Sequence, residues 1–246
     1  MRLEHAKHTT KQKELLLDRP FFNCADAPEG QFIRLNFYNL FWIFIIVSIF
    51  GLVAETIVSY FMDGFLKDRA GLVWGPFSPI YGAGAVLLTL LLNNFKTRPA
   101  TMIFVISGLI GAGFELFAGW LMEYLYGMVA WDYSDQPFNI AGHTCLGIAM
   151  VWGLAGFCWM RLFLAPVVNL ANMVPEGSIR KVLTVCMAVY IGVDIVMTFA
   201  SCTAWFDRMA GLPVTTELQV FFNTYFPDSF MENKFQTVSM YPELAG

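Results

Sequence analysis

Residues 37 to 60 read FYNLFWIFIIVSIFGLVAETIVSY, a run in which Glu55 is the only acidic or basic side chain. A helix of about 20 mainly apolar residues crosses a hydrocarbon core of about 30 Å, so this run commits the chain to a membrane. Segments 100 to 124, 143 to 165 and 181 to 204 have the same character. Segment 77 to 93 is shorter and opens with Pro79, Gly82 and Gly84, which predicts a tilted, kinked or partly re-entrant helix. Composition agrees, because 57% of the residues are hydrophobic and 14% charged, against about 25% charged in soluble chains. The expected fold is all-α, a polytopic transmembrane helical bundle of five spans with short broken or re-entrant segments. A sixth span stays open if part of the tail inserts.

Orientation follows from Lys and Arg flanking the spans. With the amino terminus inside, Arg19, Arg34, Lys96, Arg98, Arg161, Arg180 and Lys181 are cytoplasmic, against Lys67, Arg69 and Arg208 outside. The expected division is a cytoplasmic arm over 1–36, a transmembrane domain over 37–204 and an extracytoplasmic, interfacial tail over 205–246, in a multi-pass protein of the cell membrane. The charged first twenty residues carry no apolar signal-peptide core. A net charge of −4 argues against a nucleic-acid partner, which requires a basic face. Membrane lipids are the expected surroundings.

An ionisable group near mid-membrane costs several kcal/mol and is a functional candidate by default. Counting 1.5 Å per residue from each segment's midpoint, Asp194 lies about 2 Å outward of centre, Glu115 about 5 Å, Glu55 about 10 Å and His143 about 16 Å. Helical spacing groups Ser48, Gly51, Glu55 and Ser59 on one stripe, Gly108, Gly111, Ala112, Glu115 and Gly119 on a second, and Tyr190, Asp194, Thr198 and Ser201 on a third. The expectation is a polar column in the outer half, binding a polar or cationic small ligand or carrying protons. The same stripes also suit plain helix packing.

The sequence has no G-x-x-x-x-G-K-[ST], H-E-x-x-H or G-x-S-x-G motif. Three histidines, His5, His8 and His143, and five cysteines without a C-x-x-C pair give no clustered metal-ligand set. Neither a metal nor a cofactor is expected, and no enzyme activity. Two connectors, WGPFSPIYGAG (74 to 84) and WDYSDQPFNIAGHTCL (131 to 146), hold more aromatics and turn formers than a linker needs. Interface anchoring accounts for Trp74 and Trp131 but not for Asp132 and Asn139, which join Tyr81 as site candidates.

These strings, with FGLVAE (50 to 55), GLVWGPFSPIYGAGA (71 to 85) and GFELFAGWLMEYLYG (113 to 127), resemble the CmpB-like family of ABC-transporter permeases over residues 40 to 165. The chain departs from the family pattern at Leu52, where tryptophan is usual, and at His143, where arginine is common. The resemblance implies a permease or substrate-capture subunit that works with a separate ATPase. Homo-oligomerisation stays open. Two further readings stay open, a non-transporting membrane sensor or assembly factor and an intramembrane enzyme acting on lipid or isoprenoid head groups.

Overall fold

The computed structural model describes residues 24–64 and 71–245. Arg19, Lys67, Arg69 and most of the expected amino-terminal arm lie outside the described residues. The elements in chain order are α1 (Phe37–Asp63), α2 (Pro79–Leu92), α3 (Ala100–Tyr126), β1 (Met128–Val129), α4 (Leu146–Cys158), α5 (Leu164–Ala171), α6 (Ser178–Met209), α7 (Glu217–Tyr225), α8 (Asp228–Lys234) and β2 (Ser239–Met240). α4 runs into α5 through a π-helical turn over Trp159–Phe163, so Leu146–Ala171 forms one span. Pro166 explains the turn. It offers no N–H, and its ring would strike the carbonyl of Leu162 in a regular helix.

Four helices are long and apolar enough to cross a membrane, Phe37–Phe61, Ala100–Tyr126, Leu146–Ala171 and Ser178–Met209, and Pro79–Phe95 is shorter. Four full-length helices therefore stand where five spans were expected, and the short Pro79–Phe95 helix does not reach that length. Its amino-terminal end starts deep in the bundle. The Ser78 amide donates to the Ser48 carbonyl at 3.1 Å, about 16 Å along α1 from its first residue. Irregular backbone at membrane depth requires protein partners for its polar groups, and residues 71–78 have them. Val73 N–H donates to Thr198 Oγ1 at 2.9 Å, Trp74 N–H to Asp194 Oδ1 at 3.1 Å, and Gly71 N–H to the Phe77 carbonyl at 2.9 Å.

At its other end, α2 is tied to the segment preceding α1. Asn93 accepts the Ile33 amide at 3.0 Å and returns its own amide to the Ile33 carbonyl at 2.9 Å. Ile33, Ile43, Leu88, Leu92, Ile103, Met160 and Leu164 form the apolar core there.

α3 and α4 meet along a seam of small residues. A Cβ at Gly108 would come within 2.7 Å of the Ala149 carbonyl oxygen and one at Gly153 within 2.9 Å of the Phe104 carbonyl oxygen, while one at Gly111 would overlap the Trp152 indole. Without hydrophobic drive between helices in lipid, such close backbone approach supplies the packing.

The tail folds as a cap. β2 pairs antiparallel with β1, Met128 opposite Met240. Phe222, Phe226, Met231, Phe235 and Met240 bury against Val73, Met128 and Trp205. Arg208 fastens the cap, donating to Asp228 at 2.6 Å and to the Phe226 carbonyl at 2.9 Å. The LQVFFNTYF stretch thus packs partly on protein, with Phe222 buried while Leu218 and Tyr225 remain exposed.

Candidate functional site

Towards the capped end, α1 and α2 share one polar pair, and α3, α4 and the 131–145 loop share a second set, in otherwise apolar surroundings. Glu55 of α1 accepts the Tyr81 hydroxyl of α2 at 2.6 Å. The pairing depends on Gly51, one turn before Glu55, because a Cβ there would run into the Tyr81 ring. Glu115 of α3 is 8% exposed. Its Oε1 accepts the Tyr133 hydroxyl at 3.1 Å and its Oε2 the Trp152 indole N–H at 3.2 Å. Burial pushes the Tyr133 phenol well above its ordinary range, helped by the charge of Glu115, by the hydrogen bond donated to it and, further off, by Glu55. Tyr133 thus stands within electrostatic reach of both carboxylates.

His143 is buried, with its Nε2 3.4 Å from Glu123 Oε2. Its ring packs where a side chain at Gly119 would stand, since a Cβ there would lie 2.9 Å from Nδ1. Small residues on the α3 stripe therefore serve two ends, helix packing at Gly108 and Gly111 and room for histidine at Gly119.

The loop that carries His143 is self-supporting. Asp132 Oδ1 accepts the Ser134 amide at 2.8 Å and its hydroxyl at 2.6 Å. These two bonds hold the exposed Asp132 carboxyl below the usual carboxylate range, with His143 adding a smaller pull in the same direction. Asn139 donates to the Ser134 carbonyl at 2.9 Å and the Gln136 carbonyl at 3.1 Å, and Trp131 Nε1 donates to the His143 carbonyl at 2.9 Å. Phe138 and Ala141 adopt positive φ, 56° and 52°, a strained conformation for side-chain-bearing residues that a surrounding network must hold. Asp132 and Asn139 supply part of that network, and both shape the loop that positions Tyr133 and His143.

Asp194 stands apart from both sets. It is fully buried on α6, where Oδ1 holds the Trp74 amide of the re-entrant segment and Oδ2 has no hydrogen-bond partner. The structure therefore pairs Glu55 with Tyr81 and Glu115 with Tyr133 and Trp152, carries His143 on the same loop as Tyr133 but beside Glu123, and gives Asp194 a different partner in Trp74. Two participants, Tyr133 and Trp152, go beyond the sequence candidates. Their signal was available in principle, because a phenol or indole N–H in an apolar setting needs an acceptor. Among the described residues, no three His, Cys, Asp or Glu side chains gather as a metal ion would require.

The model of the family described as "Putative ABC-transporter type IV" matches residues 42–199, more than half of the chain. The chain belongs to this family. The match runs past residue 165, where the resemblance read from motifs stopped, and takes in most of α6 with Asp194. Membership and the four long apolar helices make the chain a multi-pass membrane protein of an ABC-transporter-type family. No match was found among curated proteins or among solved structures.

Proposed function

We propose that the chain is the membrane-spanning permease or substrate-capture subunit of a transporter energised by a separate ATPase, and that the Glu55–Tyr81 and Glu115–Tyr133 pairs with His143 handle a polar or cationic ligand or protons. One observation carries the reading. Two carboxylates from different helices each accept a tyrosine hydroxyl from a different element, at the end where chain connectors close over the bundle. Ionisable groups so placed are expensive, and their usual return is ligand or proton handling. Asp132 and Asn139 act through the loop, and Asp194 holds the re-entrant segment. The amino terminus is cytoplasmic in this reading and the cap faces outside, which follows from the distribution of Lys and Arg.

The mutual hydrogen bonding of these groups also suits a sensor or assembly factor whose polar seam selects helix partners. Extraction of the tagged chain from its native membrane, after chemical cross-linking, decides between them. The permease reading expects an ATP-hydrolysing subunit in stoichiometric yield, with ATP turnover in nanodiscs lowered by Glu115→Gln. Recovery without any such subunit removes the permease reading.

A further inference from the structure

A groove of about 390 Å³ runs along the outer face of α3, lined by Gly113, Leu116, Phe117 and Trp120 of the helix and by Ala141 and His143 of the loop. The four helix positions are i, i+3, i+4 and i+7, one continuous stripe. Gly113 is the midpoint of α3 (Ala100–Tyr126). From there to Glu123, at the groove's upper rim, is about 15 Å at 1.5 Å per residue, half of a hydrocarbon core of about 30 Å. The groove's own lining from Gly113 to Trp120 covers about 10 Å of that distance.

Gly113 differs from the seam glycines, because a Cβ there would meet nothing within 4 Å. Its missing side chain opens the groove floor and serves no helix contact. Above it, Phe117, Trp120 and Tyr124 form an aromatic ladder, with Trp120 and Tyr124 stacked at 5.4 Å. The volume falls in the range of roughly 300–1,000 Å³ seen for ligand sites, and the lining is likewise mainly apolar with few polar groups, but the groove is open along its side rather than enclosed. Here the polar group is His143, nine-tenths buried and lining the groove, with Glu123 3.4 Å away and partly exposed. The stretch of chain that lines the groove carries charge of one sign. No Lys or Arg occurs between Arg98 and Arg161, a stretch that holds Glu115, Glu123, Asp132 and Asp135.

We propose that this groove binds a membrane amphiphile with an apolar chain and a cationic, ammonium-bearing headgroup, the chain lying from Gly113 to Trp120 and the ammonium meeting Glu123 beside His143. In naming a ligand class for this end of the molecule, the inference rests on the permease reading. The amphiphile enters sideways from the leaflet. An anionic headgroup would face carboxylates without a nearby guanidinium or lysine ammonium in this stretch.

The test uses the full chain in phosphatidylcholine nanodiscs, labelled with photoreactive dodecylamine or with photoreactive dodecanoate. Saturable labelling of the peptide carrying Phe117 and Trp120 is expected for the amine, competed by plain dodecylamine, and about tenfold weaker for the dodecanoate. Gly113→Leu fills the groove and should abolish the labelling without shifting the melting temperature. Glu123→Gln should weaken it about tenfold. Should Gly113→Leu misfold, Gly113→Ala narrows the same floor and is read in the same way. Equal labelling by both amphiphiles, or undiminished amine labelling in the folded glycine variants, overturns the proposal and identifies ordinary lipid contact. ATPase recovery does not depend on that result, so failure here is distinguishable from failure of the permease reading.

Discussion

Replacing Glu115 by leucine and, separately, by glutamine measures what this buried carboxylate holds together. Its two oxygens receive different donors, the Tyr133 hydroxyl at 3.1 Å and the Trp152 indole at 3.2 Å. Leucine accepts neither. The indole is the more serious loss, since Trp152 is wedged against Gly84 and Gly111 and its N–H can only donate. A buried donor left without a partner costs about 1–3 kcal/mol. Tyr133 is partly exposed, so its hydroxyl turns to water and adds less than about 1 kcal/mol. The expected loss for Glu115→Leu is about 1–4 kcal/mol. Glutamine can give its oxygen to Trp152 and its amide hydrogens to the Tyr133 oxygen, losing charge assistance alone, about 1 kcal/mol. Reversible unfolding in mixed micelles of a mild detergent and dodecyl sulfate reads both values. Wild-type stability in the leucine variant would contradict the assigned hydrogen bonds, and a glutamine variant as damaged as leucine would contradict the donor exchange. With packing thus preserved, any transport defect of Glu115→Gln belongs to its charge.

Cysteines introduced at Gln136 and Glu243 should both be labelled by an impermeant maleimide outside intact cells; labelling of one with protection of the other contradicts the β1–β2 pairing that puts both at one end, and protection of both reverses the orientation. Gly111→Leu drives a side chain into the Trp152 indole and should cost about 1–3 kcal/mol or more of stability in the same micelle assay. The Tyr133 phenol is raised above its unfolded value of about 10, so its contribution is complete below that pH and lost as pH rises through the higher folded value; tyrosinate absorbance should show a late-ionising component that Tyr133→Phe diminishes. The Asp132 carboxyl is lowered, so its support of the loop is present above the ordinary value of about 3.9 and lost as pH falls through the depressed one; Asp132→Ala should bring faster proteolytic nicking within 131–145 at neutral pH, and unchanged nicking would deny it that role.

The amino-acid sequence by itself determined the fold class and the positions of the apolar helices. Span 37 to 60 became Phe37–Asp63, 100 to 124 became Ala100–Tyr126, and 181 to 204 became Ser178–Met209. Hydropathy is local, and a membrane leaves the backbone of an apolar run few choices besides helix. Periodicity also grouped the carboxylates with small residues, correctly for Glu55 beside Gly51 and Glu115 beside Gly111. Tertiary structure decided the partners. Trp152 reaches Glu115 across 37 positions and Asp194 reaches Trp74 across 120, separations over which no helical period carries information. Asp194 and Glu115 look alike as isolated acids in apolar spans. Which one caps a re-entrant backbone and which one takes Tyr133 and Trp152 depends on what the bundle brings against each. The tail was legible only as interfacial, and its burial required β1, Val73 and Trp205 to be assembled first.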